Sequence, residues 1–198
     1  MIAAAVALLL GAWQADYIAD NCARCAECCT DPEQVLEQEL LEHAVSLGAA
    51  PALAEDLLHV ERLAGVPLRL RGMLLAKAWR ESRFDPRARG DRRGKVYKAH
   101  GLLQLWPWAL RMIPDRDDPL ASAHAFLGTL VSAVPKISTR CPGTRDRWRM
   151  AWIRVNRGPK WRRPDRAGQP RCSGTDPAGL ITLRRWKRKI WQRLDGAD

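Results

Sequence analysis

Aromatic residues other than tryptophan are scarce in this 198-residue chain, which has two Tyr and two Phe. Runs of β-branched residues are short as well. Both shortages argue against a sheet-built domain, because strands draw on these side chains to cover a pleated surface. Ala, Leu and Arg dominate instead, which favours helix. Several signposts of enzyme chemistry are also missing. There is no P-loop, no G-x-G-x-x-G, no H-E-x-x-H and no G-x-S-x-G. No C2H2 or RNP pattern marks a reader of nucleic acid, and no internal repeat is present.

The start of the chain lacks Lys and Arg. It opens MIAAAVALLLGAW, where residues 2–13 form an apolar run too short to span a bilayer. Such a run fits the apolar region of a signal peptide, although no clean A-x-A site follows. Ala15 and Ala19 are weak candidates for the last residue removed. The expectation is an exported protein of the periplasm or cell envelope, with a short N-terminal helix as the alternative.

Acidic residues are sparse near the other end. Residues 140–198 hold 17 Lys/Arg against 5 Asp/Glu, whereas residues 1–139 hold 16 against 17. The net charge of +11 therefore sits in a C-terminal block. That block suits an anionic polymer such as the cell wall, or an anionic membrane. Nucleic acid suits the charge too, but the export expectation and the missing motifs disfavour it. A plain solvated basic surface is the bland alternative.

What is present begins with a hydrophobic share of 46%, enough for a real core. Nine Trp is a high count. Trp joins a broad apolar face to one N–H donor, so it serves both sugar-stacking grooves and ordinary cores. Of six Cys, four (Cys22, Cys25, Cys28 and Cys29) cluster after the apolar run, and Cys141 and Cys172 lie far downstream. An even count behind an export signal favours disulfides. Cys141–Cys172 is the best single pair, because it would clip a Pro/Gly/Arg-rich loop. The Cys cluster has a thiolate metal site as its alternative, but four Cys within eight residues cramp a tetrahedral arrangement.

Read along its length, the chain divides into a leader and Cys-rich neck (1–30), N-terminal helices (31–65), a central core (66–160) and a basic loop with a C-terminal amphipathic helix (161–198). Asp31 is placed to cap a helix opened by Pro32 and stopped at Gly48. A second helix runs from about 51 to 64, and a third from about 67 to 82. Residues 85–100, with two Gly and six Lys/Arg, read as a loop, and 101–113 as a short helix. Further helices are expected over 122–134 and 145–155. In the last helix Leu183, Trp186, Ile190 and Leu194 form an apolar stripe among basic residues. The stripe is expected to pack on its own domain, with a membrane surface as the alternative.

In the third helix Leu70, Met73, Leu74, Ala78 and Glu81 recur three or four residues apart, so Glu81 continues an apolar stripe. A carboxyl backed by apolar groups loses solvation as its anion and can hold a proton for acid catalysis. A Glu that swings out to water at a helix end is the alternative. The surrounding string, residues 78–108, reads AWRESRFDPRARGDRRGKVYKAHGLLQLWPW. It resembles the goose-type lysozyme and lytic transglycosylase (SLT) family, whose signature is roughly E-S-x-F-x-P-x-A, a short loop, then G-L-M-Q-x-x-P. Glu81, Ser82, Phe84, Pro86 and Ala88 match the first part. Gly101, Leu102, Leu103, Gln104 and Pro107 match the second, with Leu103 where the family usually has Met. A third element, A-Y-N-x-G-P, is met by Asn156, Gly158 and Pro159, with Val155 where Tyr is expected. The connecting loop is longer than usual in the family.

This resemblance covers about half the chain and implies a mostly α, lysozyme-like domain that cleaves the β-1,4 bond between N-acetylmuramic acid and N-acetylglucosamine. It implies Glu81 as the single acid/base, no metal, no cofactor, and glycan strands of peptidoglycan as partner. Ser82, Gly101, Leu103, Gln104 and Asn156 would line the substrate cleft. Attack by the sugar's own 6-hydroxyl gives 1,6-anhydro-muramic ends; attack by water makes the same site a muramidase. A non-catalytic wall-binding protein is the third reading, favoured by Val155, whose place Tyr97 is a candidate to fill. Asp85 and Asp91, the nearest carboxylates to Glu81, sit in turn contexts instead of a second catalytic position.

Overall fold

The protein is described by a computed structural model that covers residues 31–106, 115–157, 172 and 174–195. The leader, the cluster of Cys22, Cys25, Cys28 and Cys29, Pro107, most of the helix expected over 101–113, and Gly158 with Pro159 lie outside the described residues.

Six helices and one two-stranded sheet make up the described chain, so it is mostly α. Helix α1 (Pro32–Ser46) starts where the Asp31 carboxylate accepts from the Glu33 N–H at 3.0 Å. Helix α2 (Pro51–Leu63) also opens on proline, whose missing N–H costs nothing in a first turn. The third helix is shorter than its periodicity predicts. Residues 68–70 form a 3-10 turn, and α3 (Met73–Ser82) begins only after Gly72. Gly72 has φ +87°, and a Cβ there would stand 2.9 Å from Leu40 Cδ1. The chain thus turns sharply under α1, and glycine alone fits. Residues 89–100 correct the loop expected there. Strand β1 (Arg89–Arg93) pairs antiparallel with β2 (Val96–His100), Arg89 opposite His100 and Arg93 opposite Val96. Residues 101–104, expected to open a helix, make a turn instead.

Asp118 caps α4 (Pro119–Arg140) by accepting from the N–H groups of Leu120 and Ala121. By length and composition α4 could cross a bilayer, but Ala123, Phe126, Leu127, Leu130 and Ile137 are buried and the helix packs against α5 (Arg147–Arg157). A disulfide joins Cys141, at the end of α4, to Cys172, as the sequence favoured. The last helix, α6 (Ala178–Asp195), packs on α3 and α1. Its Leu183, Trp186 and Ile190 are at most 5% exposed. Each such burial contributes about 1.5–3 kcal/mol, so the stripe serves the core, as expected. The Trp186 ring meets Trp79 edge-on at 5.9 Å and His43 at 5.0 Å.

One hydrophobic cluster runs through all of this, from Leu36 on α1 to Ile190 on α6. It contains polar anchors. Arg71 is buried and donates to Glu37 at 2.7 Å and to the Val66 carbonyl at 3.2 Å. Glu61 on α2 is fully buried and accepts from the N–H groups of Gly72 and Leu74. These are donors a helix N-terminus leaves unpaired, so α2 ties down the start of α3.

Candidate active site

Helix α3 reaches its last turn at the surface, and a cleft of about 130 Å³ opens beside it. Lys77 and Glu81 of α3 form one wall. Leu103, Gln104, Leu105 and Trp106, from the turn after β2, form another. Phe126 of α4 and the pair Val155–Asn156 of α5 complete the lining. Four of the six candidate residues therefore meet in one cleft: Glu81, Leu103, Gln104 and Asn156.

Glu81 is less enclosed than its place on the stripe predicts. Its side chain is 32% exposed, whereas Leu74 and Ala78 are fully buried. The cause is local: the helix stops one residue later, at Arg83 and Phe84, and its last turn projects past the core. Arg83 and Phe84 both take left-handed backbone (φ 57° and 65°). The nearest partner of Glu81 is Lys77 one turn back, whose Nζ donates to Oε1 at 3.1 Å.

Gln104 also has left-handed backbone, φ 49°. Its amide Nε2 donates to the carbonyls of Ala88 at 3.0 Å and Gly101 at 2.9 Å. These bonds fasten the cleft wall to the base of the β1–β2 hairpin. The hairpin is fixed from the other side as well, since Arg116 donates to the carbonyls of Lys98 and Leu105. Non-glycine residues at positive φ cost free energy and gather where a fold holds a functional geometry. Among the described residues there are four such positions; Gln104 lines the cleft, and Arg83 and Phe84 directly follow its carboxylate helix.

The other two candidates stand differently. Ser82 is half-buried, its hydroxyl donates to the Ala78 carbonyl at 2.9 Å, and it is not among the lining residues. Gly101 is buried behind the wall with φ +76°. A Cβ there would fall 1.8 Å from the Arg116 carbonyl oxygen, so its part is to let two backbone segments touch. Asp85 accepts from the Arg87 N–H at 2.8 Å, which makes it a turn residue. Asp91 is exposed on β1, and neither Asp lines the cleft. Tyr97 stands on the hairpin beneath Arg92, 39% exposed, and does not line the cleft either. At the position of the family's Tyr, Val155 presents an alkyl group to the cleft.

Tryptophan occurs in two settings. Trp152 and Trp186 are core, at 1% and 5% exposure, while Trp106 is 39% exposed and lines the cleft. The residue that sequence reasoning missed is Lys77, 6% exposed, with its Nζ 5.3 Å from the centre of the Phe126 ring. The signal was available, because Lys77 lies four residues after Met73, three after Leu74 and four before Glu81 on the same stripe. Among the described residues no cluster of three or more His, Cys, Asp or Glu could hold a metal ion. Comparison of this chain with protein-family models, with curated proteins and with solved structures finds no match.

Proposed function

We propose that the protein is an exported peptidoglycan lytic transglycosylase with a lysozyme-like fold, and that Glu81 is its acid and base. The observation that carries this reading is the convergence on one cleft of Glu81, residues 103–106 and residues 155–156, three stretches far apart in sequence. They are the three stretches in which the chain resembles the family. The exposed Trp106 gives a glycan ring a face to stack on. The Cys141–Cys172 bridge suits an oxidising compartment such as the periplasm.

In this reading the protonated Glu81 gives its proton to the oxygen of the β-1,4 bond as the C1–O bond breaks. The acetamido oxygen of the substrate stabilises the oxocarbenium-like state, so no second carboxylate is required. Glu81, now a carboxylate, takes the proton of the 6-hydroxyl, whose oxygen closes onto C1 as a 1,6-anhydro ring. Water in place of that hydroxyl gives the muramidase outcome. Val155 favours a second reading, a wall-binding protein without turnover, because it puts a methyl-bearing side chain where a phenol hydroxyl is expected.

The deciding experiment is mass spectrometry of fragments released from purified sacculi. Anhydro-muramic ends that disappear with Glu81→Gln are the expected result. Reducing ends identify the muramidase. Protein that pellets with sacculi and releases nothing identifies the binding protein, and unchanged release by Glu81→Gln removes that residue from the chemistry.

A further inference from the structure

Arg83 stands where a side chain is a disadvantage. It closes α3 with left-handed backbone, φ 57°, and Phe84 follows at 65°. A β-carbon makes that conformation unfavourable, so glycine is the residue that adopts it without strain. Strain of this kind persists only where other contacts offset it. For Arg83 the side chain makes the contact. Its guanidinium carbon stands 3.8 Å from the centre of the Trp79 ring, one turn earlier. Among the described residues it makes no ion pair. A guanidinium is attracted to the face of an indole, and the two flat groups stack. Trp79 packs in turn against the core, its ring edge-on to Trp186 of α6 at 5.9 Å.

This stack lies behind the cleft. Residues advance by about 100° around a helix, so Trp79, two positions from Lys77 and two from Glu81, faces away from both. It is not among the lining residues. The contact between Lys77 and Glu81 is internal to α3, so it cannot fix the last turn against the rest of the molecule. The stack can, because it runs from Arg83 through Trp79 to α6.

We propose that Arg83 is a positioning residue, whose stack on Trp79 locks the last turn of α3 against α6 and so sets where the Glu81 carboxyl stands in the cleft. This rests on the glycan-cleaving reading above and adds to it a residue outside the cleft. Arg83→Gly is the direct test. It keeps the left-handed backbone and the N–H that donates to the Trp79 carbonyl at 3.1 Å, and it removes the stack. Fragment release is measured against the concentration of sacculi, and amide hydrogen exchange is followed at Glu81 and Ser82. The expected result is a Tm within a few degrees of wild type, a maximal rate at least tenfold lower at an unchanged half-saturating concentration, and several-fold faster exchange at both amides. A misplacement of about 1 Å is enough for such a loss of rate. Arg83→Lys, which keeps a cation over the ring, should recover part of each. A folded Arg83→Gly with the maximal rate of wild type overturns the proposal, and so does unchanged exchange. Should the glycine variant not fold, Arg83→Gln is judged by the same two readouts. Wild type that releases no fragments removes the glycan-cleaving reading, and exchange at Glu81 and Ser82 then decides the role of Arg83 by itself.

Discussion

Gly90 shows how closely the cleft is fitted at the level of single residues. A Cβ at that position would lie 2.2 Å from Gln104 Oε1, the end of a flexible side chain. Gly90→Ala should therefore leave the fold nearly as stable and move the Gln104 amide. The expected result is a Tm close to wild type with fragment release reduced several-fold. Gly101→Ala should behave in the opposite way, since its clash is with backbone and its φ is +76°. The left-handed conformation alone costs about 1–2 kcal/mol, so its urea midpoint should fall clearly. Gly101 and Gln104 stand three residues apart in one short stretch, yet the sequence does not separate a lining role from a backbone-contact role. That distinction depends on the segment around Arg116, which lies beyond that stretch. Lys77 was legible by spacing, but a basic residue in an Arg-rich chain draws little notice. Glu81 does not share the burial of its stripe, and this was not legible, because it follows from the backbone reversal at Arg83 and Phe84.

Among the elements, α3 depends most on its neighbours. Glu61 binds the N–H groups that start α3, and removing it with Glu61→Ala leaves those donors unpaired and buried. A loss of about 1–3 kcal/mol is expected in chemical denaturation. Burial pushes the Glu61 carboxyl up to about 7 from its usual 4.5. Lys187 of α6, whose Nζ donates to the Leu68 carbonyl, is pulled down to about 7 from 10.5 by the same cause. A raised acid stabilises most at low pH, and its contribution is lost as pH rises from 4.5 through 7. A depressed lysine stabilises most at high pH, and its contribution is lost as pH falls from 10.5 through 7. Subtracting the stability of a Glu61→Gln/Lys187→Met variant from that of wild type, at pH 5, 7 and 9, should give a minimum near 7. A flat difference would show that burial does not govern these groups. Helices α1 and α2 were readable from their caps and spacing. The hairpin was not, because RGDRR and VYKAH lack alternating apolar residues. Its strands are held by each other and by the contacts of Gln104 and Arg116, none of which is a local signal.

For the molecule as a whole, two features govern behaviour away from the cleft. The Cys141–Cys172 bridge closes a loop of 31 residues, and a link of that span contributes roughly 3–4 kcal/mol. A Cys141→Ser/Cys172→Ser variant should melt lower than wild type, and added reductant should lower wild type alone. The basic C-terminal block predicts that Glu81→Gln protein pellets with sacculi at low salt and is released as salt shortens the range of exposed charges. Binding indifferent to salt would assign retention to the cleft instead. Cysteine placement and charge distribution make both features visible in the sequence; neither reveals that the basic segment also closes the core. Helix α6 lies along α3, and a Cβ at Gly179 would stand 3.3 Å from the Cα of Lys77 and 2.9 Å from Trp152 Cζ2. The segment around Gly179 thus backs the part of α3 that carries Lys77, although the two lie far apart in sequence. A chain cut short before residue 178 keeps Glu81 but loses the helix on which α3 packs. The consequence is one of timing: α3 gains this packing partner only after residues 178–195 have followed it out of the ribosome.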